Sequence, residues 1–214
     1  MTIYGKEYFL KHQYGNDPKR QSMYAQEIAR LKDKFPDHMR GGTILDIGCG
    51  VGDWQAHLHG SWMKYAVEPD TYAAEIARGK GIYVSDYDYA DESFDVIVFR
   101  GTIQHIENPF EILRKAAGLL RHGGLLVFLA TPNTNSPMYK RTGTLPALDP
   151  PRNWWIPDDL SLGNVLNNLG FTNIEFYYPY GKPYARPIVD FIKYLFGKPS
   201  AFPRSMMECY CVKG

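Results

Sequence analysis

The chain has 214 residues, 44% of them hydrophobic and 22% charged, a length that suits one domain whose core needs neither disulfides nor metals. Lys+Arg is 24 against 23 Asp+Glu, a net charge of +1, which lacks the cationic excess of a non-specific nucleic-acid binder. An aromatic fraction of 14% excludes a disordered chain.

The first seven residues, Met1 to Glu7, lack the charged start and apolar run of a signal peptide. Over 22–35 a helix is expected, with Ser22 as a fair N-cap and Tyr24, Ile28, Leu31 and Phe35 at helical spacing before Pro36. From residue 43 short apolar runs alternate with helical stretches. A strand over 43–47 leads through a glycine turn into a helix near 53–59. A second strand over 65–67 ends in Glu68-Pro69, and Asp70 caps a helix running to about Arg78. Strands over 82–84 and 94–99 follow, the latter almost continuously apolar, as burial on both faces requires. Asn108 and Pro109 supply a cap and a first-position proline for a helix with Ile112, Ala116, Leu119 and Leu120 on one side. Gly123-Gly124 is expected to end it, ahead of a fifth strand over 125–130. That run is too short to span a bilayer.

Residues 131–156 carry turn formers without periodicity. Asp158 then opens a helix with a stripe of Leu162, Val165, Leu166 and Leu169, closed by Gly170. Two more strands are expected, over 171–178 and 206–212. Between them, Ile188, Val189, Phe191, Ile192, Leu195 and Phe196 make an amphipathic helical stripe with Lys193 and Lys198 nearby. Packing against the domain is the ordinary expectation for it; a membrane contact, a dimer surface or a lid are the others. Strands alternating with helices mean a parallel sheet covered on both faces. Right-handed crossovers make a doubly wound α/β domain the economical topology. The three cysteines, Cys49, Cys209 and Cys211, show no framework spacing. They suit a reducing compartment, and a soluble cytoplasmic protein is expected. No His/Cys cluster has metal spacing.

The first glycine turn carries the chemistry. Gly48, Gly50 and Gly52 follow a Gly-x-Gly-x-Gly spacing, and Asp53 stands where a dinucleotide fingerprint has its third glycine. Asp46, two residues before Gly48, would repel a pyrophosphate but pair with an ammonium. Glu68, at the tip of the second strand, suits a ribose diol. An ammonium near Asp46 and a ribose near Glu68 together describe S-adenosylmethionine.

Here the chain resembles the class I S-adenosylmethionine-dependent methyltransferases, over 42–133 and again over 158–178. The motifs are Leu45-Asp46-Ile47-Gly48-Cys49-Gly50-Val51-Gly52, Val67-Glu68-Pro69, Phe94-Asp95-Val96-Ile97 and Gln104-His105-Ile106-Glu107-Asn108-Pro109. Leu119-Leu120-Arg121-His122-Gly123-Gly124-Leu125-Leu126 and Thr131-Pro132-Asn133 complete them. The nearest look is to the small-molecule subgroup, which includes quinone-ring and sugar methyltransferases. The resemblance implies a Rossmann-like methyltransferase fold: a doubly wound, mostly parallel seven-stranded sheet with the last strand antiparallel. It also implies a helical segment over 1–40 and a methyltransferase domain over 41–214, with substrate-side segments at 134–157 and 179–205. Gly48, Cys49, Gly50 and Gly52 would line the methionine part of the cofactor, and Glu68, followed by Pro69, would hold the ribose. Asp86 and Tyr87 would meet the adenine, while Phe99, Arg100 and Gly101 would pass under the sulfonium. Gln104, also placed at the cofactor, stands where the family often has Glu.

Several residues keep two readings. His105 is either a general base for a substrate hydroxyl or a histidine that bonds the backbone and shapes the pocket wall. Arg100 could bind a substrate anion or pair with an acid such as Glu107. Trp154 and Trp155 either wall a substrate pocket or pin their loop to the core. Tyr8, Phe9 and Tyr14 could close over the cofactor. Asp149-Pro150-Pro151-Arg152 is an accidental likeness to the amino-group methyltransferase motif, because it lies past strand five rather than after strand four. The expected activity is methyl transfer to a small molecule, on a hydroxyl oxygen, releasing S-adenosylhomocysteine. The expected protein is a monomer or homodimer without a nucleic-acid partner. A macromolecule-directed methyltransferase, a nicotinamide-dependent oxidoreductase and a cofactor-binding protein without turnover are the alternatives.

Overall fold

Asp17 and Pro18 decide where the first long helix begins. In the computed structural model, which describes residues 4–11, 17–149 and 152–214, a short helix α1 (Lys6–Lys11) precedes α2 (Pro18–Lys34). The Asp17 side chain accepts from Lys19 N at 2.9 Å, with Pro18 in the first turn. A cap joined to a first-turn proline outranks Ser22, so α2 starts a turn earlier than expected. It buries Tyr24, Glu27, Ile28 and Leu31. Tyr14 lies outside the described residues.

The elements then follow the expected order: β1 (Gly41–Ile47), α3 (Asp53–Ala56), β2 (Ser61–Val67), α4 (Thr71–Gly79), β3 (Tyr83–Val84) and β4 (Phe94–Arg100). Asp70 caps α4 as expected, its Oδ1 accepting from Ala73 N at 3.0 Å. After a 3₁₀ turn over Ile103–His105 come α5 (Pro109–Leu119), β5 (Leu120–Pro132), α6 (Pro137–Thr142), α7 (Asp159–Asn168), β6 (Phe171–Tyr177), α8 (Pro187–Leu195) and β7 (Met206–Lys213). The seven strands form one sheet in the order β3-β2-β1-β4-β5-β7-β6. β1 runs parallel to β2 and β4, and β7 antiparallel to β6. The doubly wound sheet with an antiparallel last strand is therefore present.

Two further boundaries differ from expectation. Gly123-Gly124 does not end α5; it lies inside β5, which begins at Leu120. Arg121 forms an ion pair with Asp95 of β4, and Gly123 O lies 2.8 Å from His38 Nε2, which draws this stretch into the extended chain. Within 131–156 the structure adds α6, capped by Ser136, whose side chain accepts from Tyr139 N.

The chain divides into two compact units, 1–100 with 118–125, and 101–117 with 126–214. In the first, Ile44, Leu45, Ile47, Val96, Ile97 and Val98 are buried along β1 and β4. The strand order reverses between these two strands, which makes their carboxyl ends the expected ligand crevice. In the second, Leu126 to Leu129 of β5 are buried, as are Leu162 and Leu166 of α7. Asp158 and Ser161 form a capping box at the start of α7. Cys209 and Cys211 are buried free thiols on β7. The stripe on α8 does not pack as expected: Ile188, Val189, Phe191, Ile192, Leu195 and Phe196 are all exposed. Among the described residues, no helix is long and apolar enough to cross a membrane, and no group of three His, Cys, Asp or Glu side chains could hold a metal.

Candidate active site

At the carboxyl end of β1, Asp46 is 1% exposed, and its Oδ1 has no hydrogen-bond partner among the described residues. Burial lifts its pKa from 3.8 to about 7; Arg100 pulls it down, while Glu68 and Glu27 push it up. A buried carboxylate with an unused oxygen is costly unless a cation or donor completes it.

The turn beyond it is held open by backbone geometry. Gly48, Gly50 and Gly52 have φ of +78°, +56° and +74°, a region side chains disfavour. A Cβ on Gly52 would collide with Ile82 Cδ1 and lie 3.2 Å from Ala77 Cβ, so this glycine also lets α3 start close to its neighbours. One on Gly50 would meet Phe9 Cε1 at 3.7 Å. Phe9 of α1 is buried with Val51 and Ala73, and Tyr4, Tyr8, Tyr72 and Ile76 pack around them. The N-terminal aromatics therefore stand over the glycine turn.

Glu68, at the tip of β2 and 18 residues beyond Gly50, accepts from Gly50 N on Oε2 at 2.7 Å and from Asp70 N on Oε1 at 2.9 Å. Burial raises its pKa, and these two donors oppose the rise. Each oxygen keeps a second lone pair. Pro69 is exposed at the same strand tip, Asp86 is exposed, and Tyr87 is partly buried. Burial and then the charge of Glu68 raise the Tyr87 pKa. Cys49 is held as a neutral thiol, its pKa raised by burial and by the Asp46 and Glu68 carboxylates. Asp53 forms an ion pair with Lys80, which also donates to Val51 O at 2.8 Å.

Arg100 pairs with an acid, one of its two readings, but with one on α2. Its Nε and Nη2 donate to Glu27 Oε2 and Oε1 at 2.8 and 3.0 Å, and its guanidinium lies 4.3 Å from the Tyr24 ring centroid. Burial works against its charge, but the Glu27 carboxylate outweighs this and raises its pKa. The acid on this guanidinium is Glu27, not Glu107. Sequence reasoning missed Glu27 because it lies 73 residues away; a charged residue on the apolar side of α2, one position before Ile28, was the available signal. Phe99 is fully buried, so its ring belongs to the core of β4.

In the second unit, Gly101 N donates to Leu129 O at 2.8 Å, and the turn that follows fixes Gln104 and His105. Gln104 Nε2 donates to Gly101 O at 3.0 Å and faces His105 Nε2 at 3.2 Å. His105 Nδ1 lies 2.9 Å from Arg152 O. A carbonyl on Nδ1 and an amide NH₂ on Nε2 dictate one tautomer: Nδ1 carries the proton and Nε2 accepts. Burial lowers the pKa of this imidazole, against the raising effect of the Arg152 carbonyl. Gln104 Oε1 is buried without a hydrogen-bond partner among the described residues. The same turn anchors the tryptophan segment, since Trp154 N donates to Gln104 O at 2.8 Å. Trp154 is 54% exposed, whereas Trp155 packs on Phe110 with ring centroids 5.0 Å apart. Asp149 forms an ion pair with Arg152 at 2.7 Å; Pro150 and Pro151 lie outside the described residues.

A parallel sheet with its switch point at β1 and β4, a glycine turn and an acid at the tip of β2 defines a nucleoside-binding α/β class. The methyltransferase domain family matches residues 18–175. The chain belongs to this family, the S-adenosylmethionine-dependent methyltransferases. It is 25% identical over 154 residues to phosphoethanolamine N-methyltransferase 1 of Triticum aestivum, covering 64% of this chain and 30% of that protein. An uncharacterized protein of Methanocaldococcus jannaschii is 29% identical over 110 residues, 49% of this chain and 50% of that one. The chain thus spans half or less of the length of these two relatives. Among solved structures, a possible histamine N-methyltransferase from Thermotoga maritima superposes with a TM-score of 0.65 at 20% identity, covering 97% and 93% of the two chains. Magnesium protoporphyrin IX methyltransferase from Synechocystis, with bound S-adenosylhomocysteine, gives 0.66 at 14% identity and 97% of both chains. These structures share the fold.

The residues present fit S-adenosylmethionine. The unused Asp46 oxygen suits its ammonium, and the glycine turn leaves room for backbone approach. Glu68 retains lone pairs for a ribose diol.

Proposed function

We propose that this chain transfers the methyl group of S-adenosylmethionine to a hydroxyl oxygen of a small molecule. The buried, unpartnered oxygen of Asp46 carries the reading, because it sits where an ammonium would complete it. When bound, the cofactor supplies an electrophilic methyl on a sulfonium. Asp46 would hold its ammonium beside Gly48, Cys49, Gly50 and Gly52. Glu68, with Pro69, would take the ribose hydroxyls, and Asp86 and Tyr87 the adenine. The backbone of Phe99 and Gly101 would pass the sulfonium, while Arg100 acts as a positioning residue whose charge keeps Asp46 ionisable.

On the acceptor side, His105 is assigned the wall reading. Both its ring nitrogens are engaged, and it ties the 152–155 segment to Gln104. Gln104 Oε1 is left as a neutral acceptor for a donor on the cofactor or substrate. Methyl transfer then rests on alignment rather than on a protein base. The near-neutral charge supports a small-molecule acceptor over a macromolecule.

Calorimetry should show binding of S-adenosylmethionine or S-adenosylhomocysteine and none of NAD. An acceptor screen of catechols, quinone precursors, sugar nucleotides, hydroxy acids and phosphoethanolamine, read by S-adenosylhomocysteine release, tests the rest. Turnover with phosphoethanolamine alone moves the acceptor atom to nitrogen, in line with the names of the curated relatives. Turnover on peptides or RNA alone removes the small-molecule reading. Tight cofactor binding with no turnover leaves a binding protein.

A further inference from the structure

Helix α8 is amphipathic, but it faces the opposite way from an ordinary surface helix. Ile188, Phe191, Ile192, Leu195 and Phe196 fall at i, i+3, i+4, i+7 and i+8, one continuous stripe. All five are exposed, from 50% at Ile192 to 78% at Ile188. The opposite side holds Asp190, which is 7% exposed. Its Oδ2 accepts from Arg186 N at 2.6 Å, and its carbonyl accepts from Ser200 Oγ at 3.1 Å. Tyr194, on that side too, stacks on Phe202 at 4.1 Å and lies under the Arg141 guanidinium, which donates to Leu195 O at 3.1 Å. The polar and aromatic anchors fix the helix with its apolar stripe toward solvent. With Tyr180, Phe202 and Pro203, the stripe also borders an open cleft of about 420 Å³. A contiguous apolar surface of this kind marks an interaction site.

Charge selects the occupant. Between residues 179 and 204 stand Lys182, Arg186, Lys193, Lys198 and Arg204 against one acid, the buried Asp190. Arg204 is paired with Asp159, while Lys182, Arg186 and Lys198 are exposed. An isologous contact with a second copy would bring this cationic rim against itself. An anionic lipid surface satisfies both parts, with headgroup phosphates for the cations and the acyl boundary for the stripe. We propose that α8 docks the protein on an anionic membrane surface, the stripe entering the boundary between headgroups and acyl chains. This goes beyond the methyl-transfer reading and does not depend on it.

Co-sedimentation of the full chain with phosphatidylcholine–phosphatidylglycerol vesicles, and with phosphatidylcholine alone, tests it. The protein should pellet with the anionic vesicles, stay largely in solution with the neutral ones, and be released by salt. Ile188→Glu with Phe196→Glu changes two exposed positions; it should weaken vesicle binding ~tenfold or more with an unaltered melting curve. Lys182→Gln with Arg186→Gln and Lys198→Gln should also weaken binding, without touching the stripe. No pelleting with anionic vesicles overturns the proposal, as does wild-type binding by both variants. A dimer in analytical ultracentrifugation that Ile188→Glu with Phe196→Glu dissolves, without vesicle binding, assigns the face to a second copy instead.

Discussion

Two turns follow neighbouring strands and carry the candidate chemistry, yet they are built differently. The turn after β1 is closed by short-range parts: glycines with positive φ, and Glu68 reaching Gly50 N across 18 residues. The 3₁₀ turn after β4 is closed by a distant segment, with Arg152 O and Trp154 N reaching back 47 and 50 residues to His105 and Gln104. The first keeps a buried carboxyl oxygen of Asp46 without a hydrogen-bond partner among the described residues; in the second, both imidazole nitrogens are already engaged. A turn closed by its own glycines can be written locally, whereas one closed by a distant segment depends on tertiary placement.

The largest expected effect breaks the first turn from behind. Arg100→Ala leaves Glu27, which is 0% exposed, as a buried carboxylate without its forked partner. It should cost about 3–5 kcal/mol of stability, the range for breaking a buried pair, read from denaturant midpoints. Arg100→Lys should recover only part, since an ammonium replaces neither the fork nor the stack on Tyr24. A loss under about 1 kcal/mol for Arg100→Ala would mean that Glu27 finds other partners.

Asp46 gives the next effect, and its sign differs between folding and binding. Its folded pKa of about 7 lies above the ordinary 3.8, so the folded chain holds this proton more tightly than the unfolded chain. Its contribution to stability is full below pH 4 and is lost as pH rises through 7. Asp46→Asn should therefore stabilise the free protein at pH 8, by on the order of 4 kcal/mol at most, and flatten its pH dependence. The same change should weaken S-adenosylmethionine binding by about 1–3 kcal/mol, the range for losing a charged partner. Wild-type affinity should rise as pH increases through 7, where the carboxylate ionises. Unchanged affinity in the variant, or a flat affinity profile in the wild type, removes Asp46 from the ammonium site.

This contrast also explains what the sequence could reveal. The alternation of strands and helices, the Asp70 cap and the Asp158 helix are set by neighbours in the chain, and all appear as expected. The Asp46–Gly52 turn is equally local. The ion-pair partner of Arg100, Glu27, lies on another element, and nearness in the chain offered only an example such as Glu107. The 3.6-residue period revealed the stripes on α7 and α8 alike. It could not say that Leu162 and Leu166 face inward while Ile188 and Phe196 face out. That direction is fixed by Asp190 and Tyr194; Arg186 lies one helical turn before Asp190, while Ser200, Phe202 and Arg141 reach the two side chains' element from farther along the chain.

The smallest effect sharpens the second turn and separates two adjacent tryptophans. Trp155 loses a ring contact with Phe110 when cut to alanine, so Trp155→Ala should cost about 0.5–1.5 kcal/mol beyond the area it buries. Trp154 is 54% exposed, and its tether to Gln104 O is made by the backbone, which survives Trp154→Ala. Stability should then change by no more than about 0.5 kcal/mol, as at other surface positions away from caps and cores. If the exposed ring walls the acceptor site, the variant should raise KM for the acceptor while leaving cofactor affinity in place. Calorimetry with S-adenosylhomocysteine and steady-state kinetics on the acceptor found by the screen read the two quantities separately. An unchanged acceptor KM assigns Trp154 no part in the wall. A variant that melts early and loses cofactor affinity shows instead that the indole ring, and not the backbone bond to Gln104, holds the turn in place.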